Sequence, residues 1–390
     1  MLSRPMVNRF IMNGISWYAV IIVAAILIGY ALANKESRRQ GLPNDLVIDF
    51  LLFAIPLGII GARLYFVFFR WNDYSDDLLS ILRIHEGGLA IYGGILGGFI
   101  AARIASAKHG VPLPKLLDLI APSLVLGQAV GRWGNYINME AYGLRVSEEA
   151  LQFFPLAVEI PVGEIWYWHL ATFFYEFCAD LVIFLLLQIV KRHKRADGDV
   201  FTWYLLLYTS VRVVIEGLRD DSLTFISDFV RISQVLSGIT ALIIVIYFFM
   251  RIRDRIGFIT VLPVIDAVLC IALAFIGEFE RNAYSFLFKF SQLLLVVLLV
   301  FKVLIMVLWA MDSGKRDSAV AFPMLAGCLF NLVIFLLGIG RANEDNTYLV
   351  TARQLCAMTQ LCLDGWLLCY PFHIHHHHSR TAVNSHANHR

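Results

Sequence analysis

The sequence predicts an all-α fold, a polytopic transmembrane helical bundle, on three observations. Hydrophobic residues make up 59% of the 390 and charged residues 16%, against about 45–50% and about 25% in soluble proteins. The apolar residues gather into eleven runs, most of them near the roughly 20 residues that a spanning helix needs. The segments between the runs alternate in the sign of their charge. Such a chain is no soluble domain, coiled coil, disordered segment or disulfide-stapled secreted fold, and a net charge of +2 leaves no electrostatic footprint for nucleic acid.

The first run, near 14–33, follows Arg4 and Arg9 and ends in Ala31-Leu32-Ala33, a small-residue pattern resembling a signal cleavage site. At about 20 residues it exceeds a signal core and is read as the first helix. Further helices are expected near 46–70, 88–107, 116–131, 166–190, 200–218, 229–250, 258–276, 286–310, 320–339 and 350–371. The third holds Gly93, Gly94, Gly97 and Gly98, small-xxx-small steps that let helices approach closely. The cysteines Cys178, Cys270, Cys328, Cys356, Cys362 and Cys369 all fall inside apolar runs without a CxxC pair. They read as small hydrophobes, so neither a metal nor a cofactor is expected.

Every second loop is basic: Lys35, Arg38 and Arg39; Arg103, Lys108 and Lys115; Lys191, Arg192, Lys194 and Arg195; Arg251, Arg253 and Arg255; Lys315 and Arg316. The loops between them are acidic, with Asp73, Asp76 and Asp77, then Glu148, Glu149, Glu159 and Glu164, then Asp220, Asp221 and Asp228, then Glu344 and Asp345. The positive-inside rule places the N-terminus outside and the C-terminus inside, with Arg4 and Arg9 running against it. Polar residues at membrane depth are frequent before about residue 255 and sparse after it, Asp266 being the main exception. Three segments are therefore expected: 1–255, a membrane domain bearing the site; 256–371, additional transmembrane helices; and 372–390, a disordered tail rich in histidine from His373 to His378.

Ionisable groups inside spans are expensive and mark function by default. The first cluster is Gly131-Arg132-Trp133-Gly134-Asn135-Tyr136-Ile137-Asn138-Met139-Glu140-Ala141-Tyr142-Gly143. Arg132 offers planar bidentate donation to a phosphate or carboxylate, and Asn135 and Asn138 add neutral hydrogen bonds; the plainer reading is an interfacial loop whose arginine snorkels to headgroups. The second is Arg212, Glu216 and Arg219, which steps of four and seven place on one helical face. They form either a structural ion-pair ladder or an anion site in which Glu216 holds one arginine and frees the other. The third is His85-Glu86-Gly87-Gly88 with Tyr92, a phenol read either as proton donor and acceptor or as an interfacial-belt residue. Tyr18, Arg63 and the Tyr175-Glu176 pair are weaker singly, but the loop-charge topology places Tyr18, Arg63, Tyr92, Arg132, Glu176 and Arg212 in the outer half of the bilayer, an arrangement suited to an anionic headgroup.

Gly-Arg-x-Gly-Asn-x-x-Asn-x-Glu-x-x-Gly at 131–143 resembles the signature of the prolipoprotein diacylglyceryl transferases. Six further segments agree in order: Ser16-Trp17-Tyr18, Gly61-Ala62-Arg63-Leu64, Glu86-Gly87-Gly88, Thr172-Phe173-Phe174-Tyr175-Glu176, Arg212 to Arg219, and Arg231-Ile232-Ser233-Gln234. The resemblance covers about residues 10–250. It implies a seven-helix enzyme of the bacterial inner membrane that moves diacylglyceryl from phosphatidylglycerol to the lipobox cysteine of a preprolipoprotein, with no cofactor. It implies further that Arg132 contacts the phospholipid, that Arg212 is a second essential arginine followed by Glu216 and Arg219, and that Tyr18, Asn135, Glu140 and Gly143 fall on important positions.

The chemistry suits these residues. A thiolate must attack carbon, and the displaced phosphate gains charge, so pre-placed arginines favour the transition state over the ground state. Arg132 and Arg212 are expected to bind the phosphate, with Glu140 and Glu216 orienting them, and Tyr92 or His85 to assist proton transfer. Two departures stand out. Many relatives carry histidine where this chain has Tyr92, and the fifth-helix segment reads His169-Leu170-Ala171-Thr172 where relatives tend to have His-Pro-Thr. The competing classes are a non-catalytic lipid-binding or transport protein and another intramembrane enzyme. A protease would want a serine–histidine pair or paired aspartates in a motif, and Asp49 and Asp180 lie on different helices without one.

Overall fold

A computed structural model describes residues 4–5, 16–84, 87–220, 224–226, 230–252, 261–282 and 346–369, with scattered positions between 294 and 331. Among the described residues the chain is helical almost throughout: α1 Trp17–Arg39, α2 Leu46–Phe69, α3 Ile91–His109, α4 Leu113–Asn138, α5 Thr172–His193, α6 Asp199–Glu216, α7 Ile232–Ile252, α8 Val261–Asn282 and α9 Asn346–Cys369. Two small antiparallel sheets interrupt it, β1 (Ala157–Val162) with β2 (Ile165–Leu170), and β3 (Thr224–Ile226) with β4 (Val230–Arg231). Five helices, α1, α2, α4, α5 and α7, are long and apolar enough to cross a membrane. The expected all-α membrane bundle is what forms. Exposed Leu52, Leu64 and Phe68 on α2 would be costly against water and are at home against lipid.

Of the boundaries that differ from the sequence reading, two bear on the site. The fifth helix begins at Thr172 rather than 166, because Ile165–Leu170 pairs with Ala157–Val162 as a hairpin turning at Gly163 (φ +66°). The aromatic and β-branched run Ile165-Trp166-Tyr167-Trp168 has the propensity of a strand. The fourth helix continues past 131 to Asn138, so Arg132, Asn135 and Asn138 are helical. The expected helices near 286–310 and 320–339 fall largely outside the described residues, as do His85, Glu86, Arg9, Asp221, Asp228, Lys315, Arg316 and the histidine-rich tail.

The chain divides into two compact units, one formed by Val7–Asn138 with Asp180–Tyr204 and the other by Met1–Met6, Met139–Ala179 and Leu205–Arg390. In the first, α1 packs on α4 and α2 on α3. A core of Ala33, Leu46, Val47, Ala102, Ala105, Val111, Leu116 and Leu119 closes one end of these helices. The same end carries basic side chains tied to carboxylates. Lys108 Nζ lies 2.8 Å from Asp49, Lys191 Nζ 3.0 Å from Glu36, and Lys194 Nζ 3.1 Å from both Asp118 and Asp197. Burial works to lower the Lys194 ammonium, yet its bonds to Asp197 and Asp118 hold it above its ordinary value. In the second unit α7, α8 and α9 pack together, with Leu262, Ile305 and Leu367 in one buried cluster.

Candidate active site

In the first unit the glycine steps do what their spacing predicts. A Cβ on Gly93 would strike the Gly61 carbonyl, and one on Gly97 the Leu57 carbonyl, so α2 and α3 meet backbone to backbone. That contact places Tyr92, in the first turn of α3, beside Tyr65 with ring centroids 6.2 Å apart. Arg63, on the same stretch of α2, is buried. Its Nε donates to the Ile81 carbonyl (2.8 Å), Nη2 to that of Ser80 (2.8 Å), and Nη1 to those of Gly87 (2.7 Å) and Gly88 (3.1 Å), while the guanidinium lies over the Tyr74 ring. Gly87 and Gly88 adopt φ +92° and +73°, a left-handed backbone that glycine takes without strain. The structure thus gives Arg63 loop carbonyls as partners.

Arg132, Asn135 and Asn138 lie half-buried on the last two turns of α4. Between them, Gly134 is buried with the Tyr18 ring against its α-carbon, where a Cβ would sit 2.7 Å from Tyr18 Cδ2. The glycine of the signature therefore makes room for the tyrosine of α1, so two residues singled out separately in the sequence form one contact. Helix α1 starts cleanly because the Ser16 hydroxyl accepts from the Ala19 N–H at 3.1 Å.

The second unit takes up the signature where α4 ends. Met139 and Ala141 both have positive φ, 55° and 54°, uncommon for residues with a side chain. Surrounding bonds hold this turn. Thr172 Oγ1 donates to the Ala141 carbonyl at 2.6 Å, the Gly143 N–H to Leu170 O at 2.8 Å, and the Leu144 N–H to Leu218 O at 2.8 Å. Gly143 and Arg219 form an antiparallel bridge. A Cβ on Gly143 would meet Leu170, the Leu218 carbonyl and Thr172 within 2.9 Å, which is why the signature ends in glycine. The buried His169 places Nδ1 2.9 Å from the Gly143 carbonyl, so its protonated nitrogen donates there. Glu140 is exposed.

Beside this turn lies a buried charge network. Arg212 pairs through Nη1 with Glu176 and through Nη2 with Glu216. Glu216 also accepts from the Ser233 hydroxyl at 2.9 Å and stands 3.9 Å from Arg219 Nη1. Arg231 Nη2 donates to the Arg219 carbonyl at 3.0 Å. Glu176 and Glu216 are nearly inaccessible, while Arg212 and Arg219 retain 15% and 17% side-chain exposure. Three guanidiniums, those of Arg212, Arg219 and Arg231, stand against two carboxylates, and the accessible edge of the group is cationic, a surface that attracts an anion. Of the sequence candidates the second unit brings together Arg212, Glu216, Arg219 and Gly143; the first brings together Tyr18 with Gly134, and places Arg63 and Tyr92 on packed helices. Sequence reasoning gave Glu176 little weight and left Ser233 and His169 without roles. The signals for Glu176 were an ionisable residue in an otherwise apolar span and its place in the 172–176 segment that resembles the family.

A family model described as prolipoprotein diacylglyceryl transferase matches residues 5–250. Among curated proteins, the chain is 40% identical over 241 residues to the phosphatidylglycerol–prolipoprotein diacylglyceryl transferase of Halalkalibacterium halodurans, which covers 60% of this chain and 82% of that protein. It is 39% identical to the proteins of that name in Streptococcus equi subsp. equi, over 241 residues, and Streptococcus pyogenes serotype M5, over 244, covering 92% of each. Residues after 250 lie beyond the family match.

Proposed function

The chain belongs to the prolipoprotein diacylglyceryl transferase family, and from that membership we propose that it transfers diacylglyceryl from phosphatidylglycerol to the lipobox cysteine of preprolipoproteins. The cysteine sulfur attacks the diacylglyceryl carbon that bears the phosphate, the carbon–oxygen bond breaks, and glycerol phosphate leaves. The thiol proton balances the charge gained by the departing monoester. The observation that supports this reading best is the buried Arg212 network, joined at Arg219 to the last glycine of the 131–143 signature.

The proposed roles follow from donor chemistry. Arg132 gives the phosphate a two-point contact, with Asn135 and Asn138 adding neutral donors and Glu140 orienting it. Arg212 stabilises the charge that develops on the leaving phosphate, with Glu216 fixing its orientation and Arg219 at the cationic edge. A unit charge pair about 4 Å apart at an effective dielectric near 20 interacts by roughly 4 kcal/mol. A third of that as differential stabilisation is about a tenfold rate effect. Tyr92 assists proton transfer. Tyr18 and Gly143 shape the backbone around the signature, and Arg63 holds the 71–90 loop. Incubating membranes with labelled phosphatidylglycerol and a lipobox peptide tests the activity. Label on the peptide cysteine is the expected outcome; its absence favours a non-catalytic lipid-binding or transport protein.

The chain is a multi-pass membrane protein. We place it in the bacterial cytoplasmic membrane with the N-terminus outside and the C-terminus inside, supported by the common end at which Lys108, Lys191 and Lys194 lie in the first unit. Cysteines introduced at Asp76 and Glu148 should react with an impermeant thiol reagent added outside, and one at Lys194 should not. Labelling at 194 from outside overturns the arrangement. Residues 256–371 are proposed to be dispensable for the chemistry, so a chain ending near Arg255 should keep transferase activity per inserted molecule. Complete loss in a folded truncation would assign those helices a part in the site.

A further inference from the structure

The helices beyond the family match carry an ionisable group that diacylglyceryl transfer does not use. Asp266 and Cys270 stand one turn apart on α8, Gln360, Cys362 and Asp364 lie on α9, and Lys302 comes from the helical residues between 294 and 305. Asp266, Lys302 and Asp364 are each 0% exposed. Lys302 Nζ sits 2.5 Å from Asp266 Oδ2, pairs with Asp364 Oδ1 and donates to the Gln360 carbonyl at 3.2 Å. One donor atom each from Asp266, Cys270 and Asp364 lies within 4.8 Å of the others.

Counted as ionised, two carboxylates and one ammonium leave one negative charge that no other described residue compensates, in a buried site. A buried ionisable group in that position takes up a proton rather than stay charged. The hydrogen bonds point the same way. Among the described residues Oδ1 of Asp266 and Oδ2 of Asp364 accept no hydrogen bond, and Gln360 Nε2 donates none, all three atoms being inaccessible. Two adjacent carboxyl groups short of a donor are completed by one proton, which supplies a donor and cancels the charge together. A divalent metal fits poorly, because the Lys302 ammonium already lies against both carboxylates and would repel it. Among the described residues the other groups near the pair are thiols and a hydroxyl: Cys270 at 4.0 Å from Gln360 Oε1, and Cys362, whose thiol meets Ser210 of α6 at 3.4 Å. Helix α7 has no acidic or basic residue between Gln234 and Tyr247, and Arg353 lies eleven residues before Asp364 on α9, about 16 Å along the axis.

We propose that Asp266 and Asp364 share one bound proton and form with Lys302 a neutral proton-binding triad in the C-terminal helices. The test uses the full chain purified in detergent. Infrared difference spectra at neutral pH should show the carbonyl band of a protonated carboxyl in the wild type that is lost in both Asp266→Asn and Asp364→Asn. Each single variant keeps one carboxylate against one ammonium, so its Tm should stay within about 4 °C of wild type. The double variant strands Lys302 and should melt at least about 10 °C lower. If only one single variant accumulates, its spectrum decides. Retention of the band in the single variants, or failure of both to accumulate, overturns the proposal. So does a wild-type Tm that rises in sodium over choline at equal ionic strength and does not rise in the variants, which would assign a sodium ion in place of the proton.

Discussion

Arg132→Ala should bring transfer of label from phosphatidylglycerol to a lipobox peptide close to background, and Arg132→Lys should be severely impaired although it keeps the charge. Lysine lacks the planar fork that meets two phosphate oxygens at once. Losing one charge-assisted contact of roughly 1.5–3 kcal/mol lowers the rate about tenfold to a hundredfold, and alanine loses the whole interaction. Inserted protein should be little changed, because Arg132 is half-buried near the end of α4, while the tight contact of that turn belongs to Gly134 and Tyr18. Transfer is to be normalised to inserted protein. Near-normal transfer by Arg132→Lys would reject the two-point contact, and near-normal transfer by Arg132→Ala would remove the residue from the site.

Substitution of Arg212 is expected to damage both activity and fold, which sets it apart from Arg132. Its guanidinium is the shared partner of Glu176 and Glu216, and Arg212→Ala would leave two buried carboxylates facing each other. Removing one partner of a buried ion pair costs about 3–5 kcal/mol. Arg212→Ala should therefore melt well below wild type and show no transfer. The double variant Arg212→Met with Glu176→Gln discards a charge from each sign and should regain much of the melting temperature while transfer stays absent. Recovery of stability without activity separates the electrostatic role from the structural one. Recovery of both would mean that Arg212 serves the fold alone.

The parts of this molecule that were legible in the sequence are those whose cause lies within a few residues. Arg212 and Glu216 stand four apart on one helix, so their pairing follows from the helical period, and they pair. The glycine steps announced a close helix contact, though not that the other wall would be Gly61 and Leu57. The loop charges announced a basic end, and Lys108, Lys191 and Lys194 share it. What stayed hidden depends on distant chain. Glu176 meets Arg212 across 36 positions, and nothing near either residue encodes the other. Strand β2 reads as the start of a helix because a short apolar run fits both states; its aromatic and β-branched composition and the turn at Gly163 are what mark the hairpin. The function was legible for a different reason, since a spacing of glycine, arginine, asparagine and glutamate over thirteen residues carries more information than any single periodicity.

The attachment of Arg63 has a consequence for the conditions the protein can tolerate. It is held by main-chain carbonyls from Ser80, Ile81, Gly87 and Gly88 together with the Tyr74 ring, and none of these changes charge in acid. In the proposed orientation this loop faces the medium around the cell, where acidity is not under the cell's control. A loop fastened by a carboxylate would loosen as that group took up protons. The hold of Arg63, a permanent cation on fixed dipoles, keeps the same strength in acidic and alkaline surroundings alike, so what acid can loosen in this loop is confined to exposed pairs such as Arg83 with Asp77.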